Sequence, residues 1–132
     1  MLVCLAMLFI ALSIVGVGAR SIPSDDAIMP LWDSIAVTTL DIDFDGNTSL
    51  VDGTARRQST VTSIEGTVTV YYYDGGWQYL DSWYGSTTRN SLAVGGEFDA
   101  VSGVQYKAVF EVTAYTGNTP ESHEMVRTET CP

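Results

Sequence analysis

After an apolar opening run, apolar and polar residues alternate with period two through most of the chain, and that period dictates extended strands. Leu40, Ile42 and Phe44 alternate with Asp41, Asp43 and Asp45, the pattern of a half-buried strand with one wet face. Residues 50–58 suggest a short strand broken at Asp52-Gly53. Ile64, Val68, Val70 and Tyr72 alternate with Glu65, Thr67, Thr69 and Tyr71, and the run stops at Asp74-Gly75-Gly76. Aspartate-glycine ahead of an aromatic return segment, residues 77–84, predicts a hairpin, because glycine supplies the positive φ of tight turns. Leu92, Val94, Phe98 and Ala100 mark the next strand, with a bulge or bend expected at Gly95-Gly96. Val104, Tyr106, Ala108, Phe110, Val112 and Ala114 form the longest alternation. Turn chemistry at 116–120 then leads into a polar, edge-like strand over 121–130. About seven short strands, and no helical period after the opening run, predict an all-β fold, an antiparallel sandwich.

The opening run, MLVCLAMLFIALSIVGVGA, carries no charge. Its length and small-residue exit, with Val17 and Ala19 at the minus-three and minus-one places, fit a secretory signal peptide over 1–19. No Lys or Arg precedes Leu2, so the n-region is either the terminal amine alone or absent through a misplaced start. The alternative is a single membrane anchor, since about eighteen apolar residues can just span a bilayer. Membrane contact is then expected only through an uncleaved leader. Residues 20–33, with Pro23 and Pro30, read as an extended arm, and 34–132 as one domain.

Charge narrows the partners. The chain has 6 Lys+Arg against 16 Asp+Glu, a net charge of −10, and one lysine, Lys107. Nucleic-acid binding needs clustered cations and is excluded as an expectation. Cys4 lies inside the leader and Cys131 one residue from the end. Cleavage therefore leaves one thiol and no intramolecular disulfide. Three states stay open to Cys131: a free thiol, a Cys131-linked dimer, or the remnant of an ancestral bridge.

The segment SGVQYKAVFEVTAY, Ser102 to Tyr115, resembles the sixth strand of immunoglobulin-like and fibronectin-type-III-like sandwiches. The resemblance implies a seven-stranded immunoglobulin-like β-sandwich. It makes Tyr106 the tyrosine-corner residue, its hydroxyl bonding back to the backbone of the Asp99–Gly103 turn. With the leader and the Cys-Pro terminus, the chain also resembles small secreted proteins of Gram-positive bacteria, an uncharacterised family. Such chains pair a cysteine early in the domain with one near the end. Residues 48–51 hold none, so that pairing does not carry over to Cys131.

Two constellations carry candidate chemistry. Asp41, Asp43, Asp45, Gly46 and Asp52 match the D-x-D-x-D-G calcium-loop pattern with an acid at the twelfth place, a set of hard oxygen ligands suited to Ca²⁺. The same residues also satisfy a plain strand whose outward positions are acidic. Tyr71, Tyr73, Trp77, Tyr79, Trp83 and Tyr84 are the second. On one hairpin face they would form a platform for sugar rings; ordinary cross-strand pairing, with Tyr72 and Trp83 in the core, is the competing account. Catalysis finds little to stand on: His123 is the only histidine, and no G-x-S-x-G elbow occurs. Asn47-Thr-Ser49 is a glycosylation sequon, relevant only in a eukaryotic host. The expectation is a secreted, non-enzymatic extracellular module without a cofactor, binding a protein, or alternatively a glycan or Ca²⁺.

Overall fold

The computed structural model describes residues 27–28, 34–46 and 48–132; the predicted signal peptide, Cys4 and most of the arm lie outside them. A two-residue strand from the arm, β1 (Ala27–Ile28), is followed by seven long ones: β2 (Ile35–Asp45), β3 (Thr48–Arg57), β4 (Ser63–Tyr73), β5 (Trp77–Thr87), β6 (Ser91–Asp99), β7 (Gln105–Thr116) and β8 (Thr119–Thr130). They form two antiparallel sheets, ordered β1-β2-β3-β6 and β5-β4-β7-β8. At the sides of the sandwich β5 lies beside β6, and β2 beside β8. Among the described residues no helix is long and apolar enough to cross a membrane.

The alternating residues meet between the sheets. Leu40, Ile42 and Val51 from one side, and Val68, Val70, Ala108, Phe110 and Val112 from the other, are buried in one core. Phe110 is its centre. Its ring fills the space that a Cβ would need at Gly53 and at Gly66, 2.8 and 2.7 Å away. Gly53 is thus a packing residue and not a break: β3 runs unbroken through Asp52-Gly53, pairing on both sides.

Of the bulge or bend expected at Gly95-Gly96, the bulge is absent, because the β3–β6 register passes through it without a shift. A Cβ on Gly95 would stand 1.9 Å from the Val51 carbonyl oxygen, and one on Gly96 2.2 Å from Trp83 Nε1. Close approach requires these glycines. The hairpin glycine behaves as the sequence suggests, with Gly75 at φ 65°.

Two contacts brace the sandwich, one at an end and one at a side. The Val101 amide donates to the Tyr106 hydroxyl at 2.8 Å, across the turn where the sequence places that bond. On the β2–β8 side, inward-facing Arg127 donates to the Leu40 carbonyl (3.3 Å) and pairs with Asp41 (3.2 Å) and Glu129. An inward-pointing charge on an edge strand resists edge-to-edge pairing with other chains.

Candidate functional site

The outward face of the β5-β4-β7-β8 sheet gathers most of the side chains with binding character. Its arrangement turns on one irregularity. Val70 pairs with Asp81 and Tyr71 with Tyr79, so Leu80 is an extra residue in β5. Trp77, Tyr79 and Trp83 have the same parity and would share a face of a regular strand. The bulge separates them. Trp83 turns inward, packing on the core and against Gly96, whereas Trp77 and Tyr79 stand outward opposite Tyr73 and Tyr71. Leu80, half-buried, anchors the bulge on the core.

At this end of the face the rings stand edge to face. Tyr71 and Tyr79 meet at 83° with centroids 6.4 Å apart, and Tyr73 and Trp77 at 74° and 5.3 Å. Lys107, next to Tyr71 on β7, holds its ammonium 5.0 Å from the Tyr71 ring centre and 4.7 Å from that of Trp77, within cation–π range. The group is therefore a knobbed aromatic patch capped by a cation, not a flat stack of parallel rings. Tyr73 and Tyr79 remain half or more exposed, at 50% and 62%.

Six residues back along β4 from Tyr71, at Glu65, lies a separate group, about 20 Å away at the usual strand rise. Tyr84 donates to Glu65 Oε2 at 2.9 Å, and Tyr115 to Glu65 Oε1 at 2.7 Å. The hydrogen bond to Glu65, then burial, then the Glu65 charge raise the Tyr115 pKa above its ordinary 10.0. These three residues, with Ser63, Ser86, Thr87, Thr88 and Arg89, line a cleft of about 520 Å³. Of the predicted aromatic set, Tyr84 belongs here and not with Trp77. Nothing in the sequence links Glu65 to phenols 19 and 50 positions away.

The predicted calcium residues lie in strands, not in a loop. Asp41 and Asp52 are directly paired across β2 and β3, whereas Asp43 faces Leu50 and Asp45 faces Thr48. Asp41, Asp43 and Asp45 all point outward and are exposed, and Asp41 is engaged by Arg127. Among the described residues no group of three His, Cys, Asp or Glu side chains converges to hold a metal ion.

On the β2–β8 side, long-range contacts assemble a Ser34–Glu121–His123 cluster. Ser34 Oγ donates to Glu121, and His123 Nε2 lies 2.5 Å from the other carboxylate oxygen. In a nucleophile triad the imidazole sits between hydroxyl and acid. Here the acid is in the middle, so Ser34 donates to the Glu121 carboxylate and not to the imidazole. The Cys131 side chain is buried at 3% exposure, with its backbone pinned to Val104 and Gly103. Cross-linking two folded chains through it requires that end to open.

Compared with protein-family models and with curated proteins, the chain matches none.

Proposed function

We propose that this protein is an exported, non-enzymatic interaction module with an immunoglobulin-like fold, and that it docks a partner protein on the outward face of its β5-β4-β7-β8 sheet. One observation carries the reading. Among the described residues seven large apolar side chains stand exposed, and five of them, Tyr73, Trp77, Tyr79, Tyr84 and Val126, lie on that one face. Clustered exposed aromatics, here Tyr73, Trp77 and Tyr79, are the side chains that interfaces enrich.

Charge commits the partner to a basic protein. Glu65, Glu111 and Glu124 occupy outward positions of the same face, and the chain's net charge is −10. The immunoglobulin-like assignment draws support from the Tyr106 bond to the Val101 amide, the tyrosine corner of that class. Export rests on the apolar leader, residues 1–19, and so does kinship with small secreted proteins of Gram-positive bacteria.

The test uses a partner captured from the extracellular fraction of the producing cells, then purified and titrated by calorimetry. Replacing Trp77 and Tyr79 together by serine is expected to weaken binding at least tenfold, since aromatic hot spots cost about 2 kcal/mol or more. Raising salt should weaken it further. A purified partner whose affinity ignores both changes refutes the docking face.

A further inference from the structure

We propose that the cleft at the far end of the same sheet, bounded by Glu65, Tyr84, Tyr115 and Arg89, is a binding site for a neutral saccharide. The site is separate from the Trp77–Tyr79 patch and does not depend on protein docking there. Its volume of about 520 Å³ falls among small-ligand sites, which run from about 300 to 1,000 Å³.

Its walls are held in place before any ligand arrives. Glu65 fixes both phenols, one on each carboxylate oxygen. Thr62 holds the Tyr115 segment, its amide and hydroxyl both donating to the Tyr115 carbonyl, at 2.8 and 2.9 Å. Arg57 holds the opposite wall: Nε donates to the Arg89 carbonyl at 2.9 Å, Nη2 to the Thr88 carbonyl at 3.3 Å, and its amide to Asn90. Preorganisation of this kind lowers the cost of binding.

The chemistry of the lining selects the ligand. Arg89 supplies donors only, Glu65 acceptors only, and the Ser63, Ser86 and Thr88 hydroxyls supply both, while Thr87 Oγ1 accepts from the Arg89 amide at 3.0 Å. Arg89 and Glu65 line one cleft without pairing, and the Arg89 guanidinium has no carboxylate partner among the described residues. Vicinal sugar hydroxyls, each donor and acceptor, complement such a set, and the C–H faces of a pyranose suit tyrosine rings. An anionic ligand would meet Glu65 and a chain of charge −10. An apolar one would strip water from the charged groups without replacing their bonds.

The experiment titrates the ¹⁵N-labelled protein with cellobiose, maltose and lactose, and separately with glucuronate. At least one neutral disaccharide is expected to shift amides of residues 63–66, 84–89 and 115, saturating at millimolar concentration. Arg89→Ala and Glu65→Gln should each weaken this at least fivefold while leaving the spectrum elsewhere unchanged. Arg89 is exposed, so its variant keeps the test valid if the Glu65 variant fails to fold. Silence of those amides with all three sugars, shifts that survive Arg89→Ala, shifts confined to residues 71–79, or tighter binding of glucuronate would each overturn the proposal. None of these outcomes bears on the Trp77–Tyr79 test, so the two readings fail separately.

Discussion

Gly96 offers a direct test of how the aromatic residues of β5 are divided between core and surface. It lies opposite Val51 in the β3–β6 pair, and a Cβ built on it would stand 2.2 Å from Trp83 Nε1 and 2.5 Å from Cε2. Comfortable contact between such atoms is about 3.5–4.0 Å. Gly96→Ala must therefore displace the indole by more than an ångström or push the two sheets apart. Overpacking of this size costs about 1–3 kcal/mol. For a domain of this length each kcal/mol lowers Tm by roughly 4–8 °C. Unfolding followed by far-ultraviolet circular dichroism reads this without relying on tryptophan.

The decisive comparison is a double-mutant cycle with Trp83→Phe, in which the smaller ring vacates the space beside Gly96. The penalty of Gly96→Ala should shrink by about 1–2 kcal/mol in that background, as expected of residues in contact. Gly76→Ala serves as control, since its added Cβ would meet only the end of Gln78 at 3.9 Å; its cost should stay within about 0.5 kcal/mol. Equal penalties for Gly96→Ala in both backgrounds would show that Trp83 does not point at Gly96. The bulge at Leu80 would then not divide the strand as described, and Trp77 and Tyr79 would lose their assignment to the outer face.

Three further outcomes follow from single contacts. Tyr106→Phe removes the acceptor of the Val101 amide and should cost about 0.5–1.5 kcal/mol in urea unfolding; an unchanged midpoint would remove the tyrosine corner. Because the Tyr115 pKa is raised above 10.0, its bond to Glu65 stabilises fully below pH 10 and is lost as pH climbs through the folded value; absorbance at 295 nm should show a late phenol step that moves down in Glu65→Gln. The buried Cys131 thiol should react with a disulfide reagent roughly tenfold or more slower in the native protein than in urea, read on the C-terminal peptide by mass; rapid native labelling or rapid native dimer formation through Cys131 would contradict its burial.

The period-two pattern made the strands legible because it reports which residues share a face. Leu40, Ile42 and Phe44, and the long run from Tyr106 to Ala114, needed nothing more. Register shifts are invisible to it. Leu80 looks like any apolar residue in a strand, yet it reverses the direction of everything before it in β5, which is why Trp77, Tyr79 and Trp83 read as one group. Glycine was the second blind spot, since it serves both turns and close packing. Gly75 turns the chain, whereas Gly53 makes room for Phe110 and Gly96 for Trp83. The cleft was illegible for another reason. Its parts come from β4, β5, the turn after it and β7, and only the sheet order brings them together.

Charge explains why the exposed aromatic face can persist on a chain that does not bury it against itself. A second copy laid on that face would add three carboxylates, Glu65, Glu111 and Glu124, for the three it covered, and would bring a further −10 of net charge. In return it would offer Lys107, which already sits over Tyr71 and Trp77, and Arg89 at the far cleft, two cations against three carboxylates. Close approach falls within the Debye length of about 8 Å at physiological salt, so screening does not remove the repulsion. A partner with the opposite charge meets neither penalty. It is drawn to the acidic rows at long range, and it gains the apolar area of Tyr73, Trp77 and Tyr79 on contact. The expected signature is an association rate that falls steeply with salt and a dissociation rate that changes little with it, because rim charges govern encounter and the aromatic patch governs release.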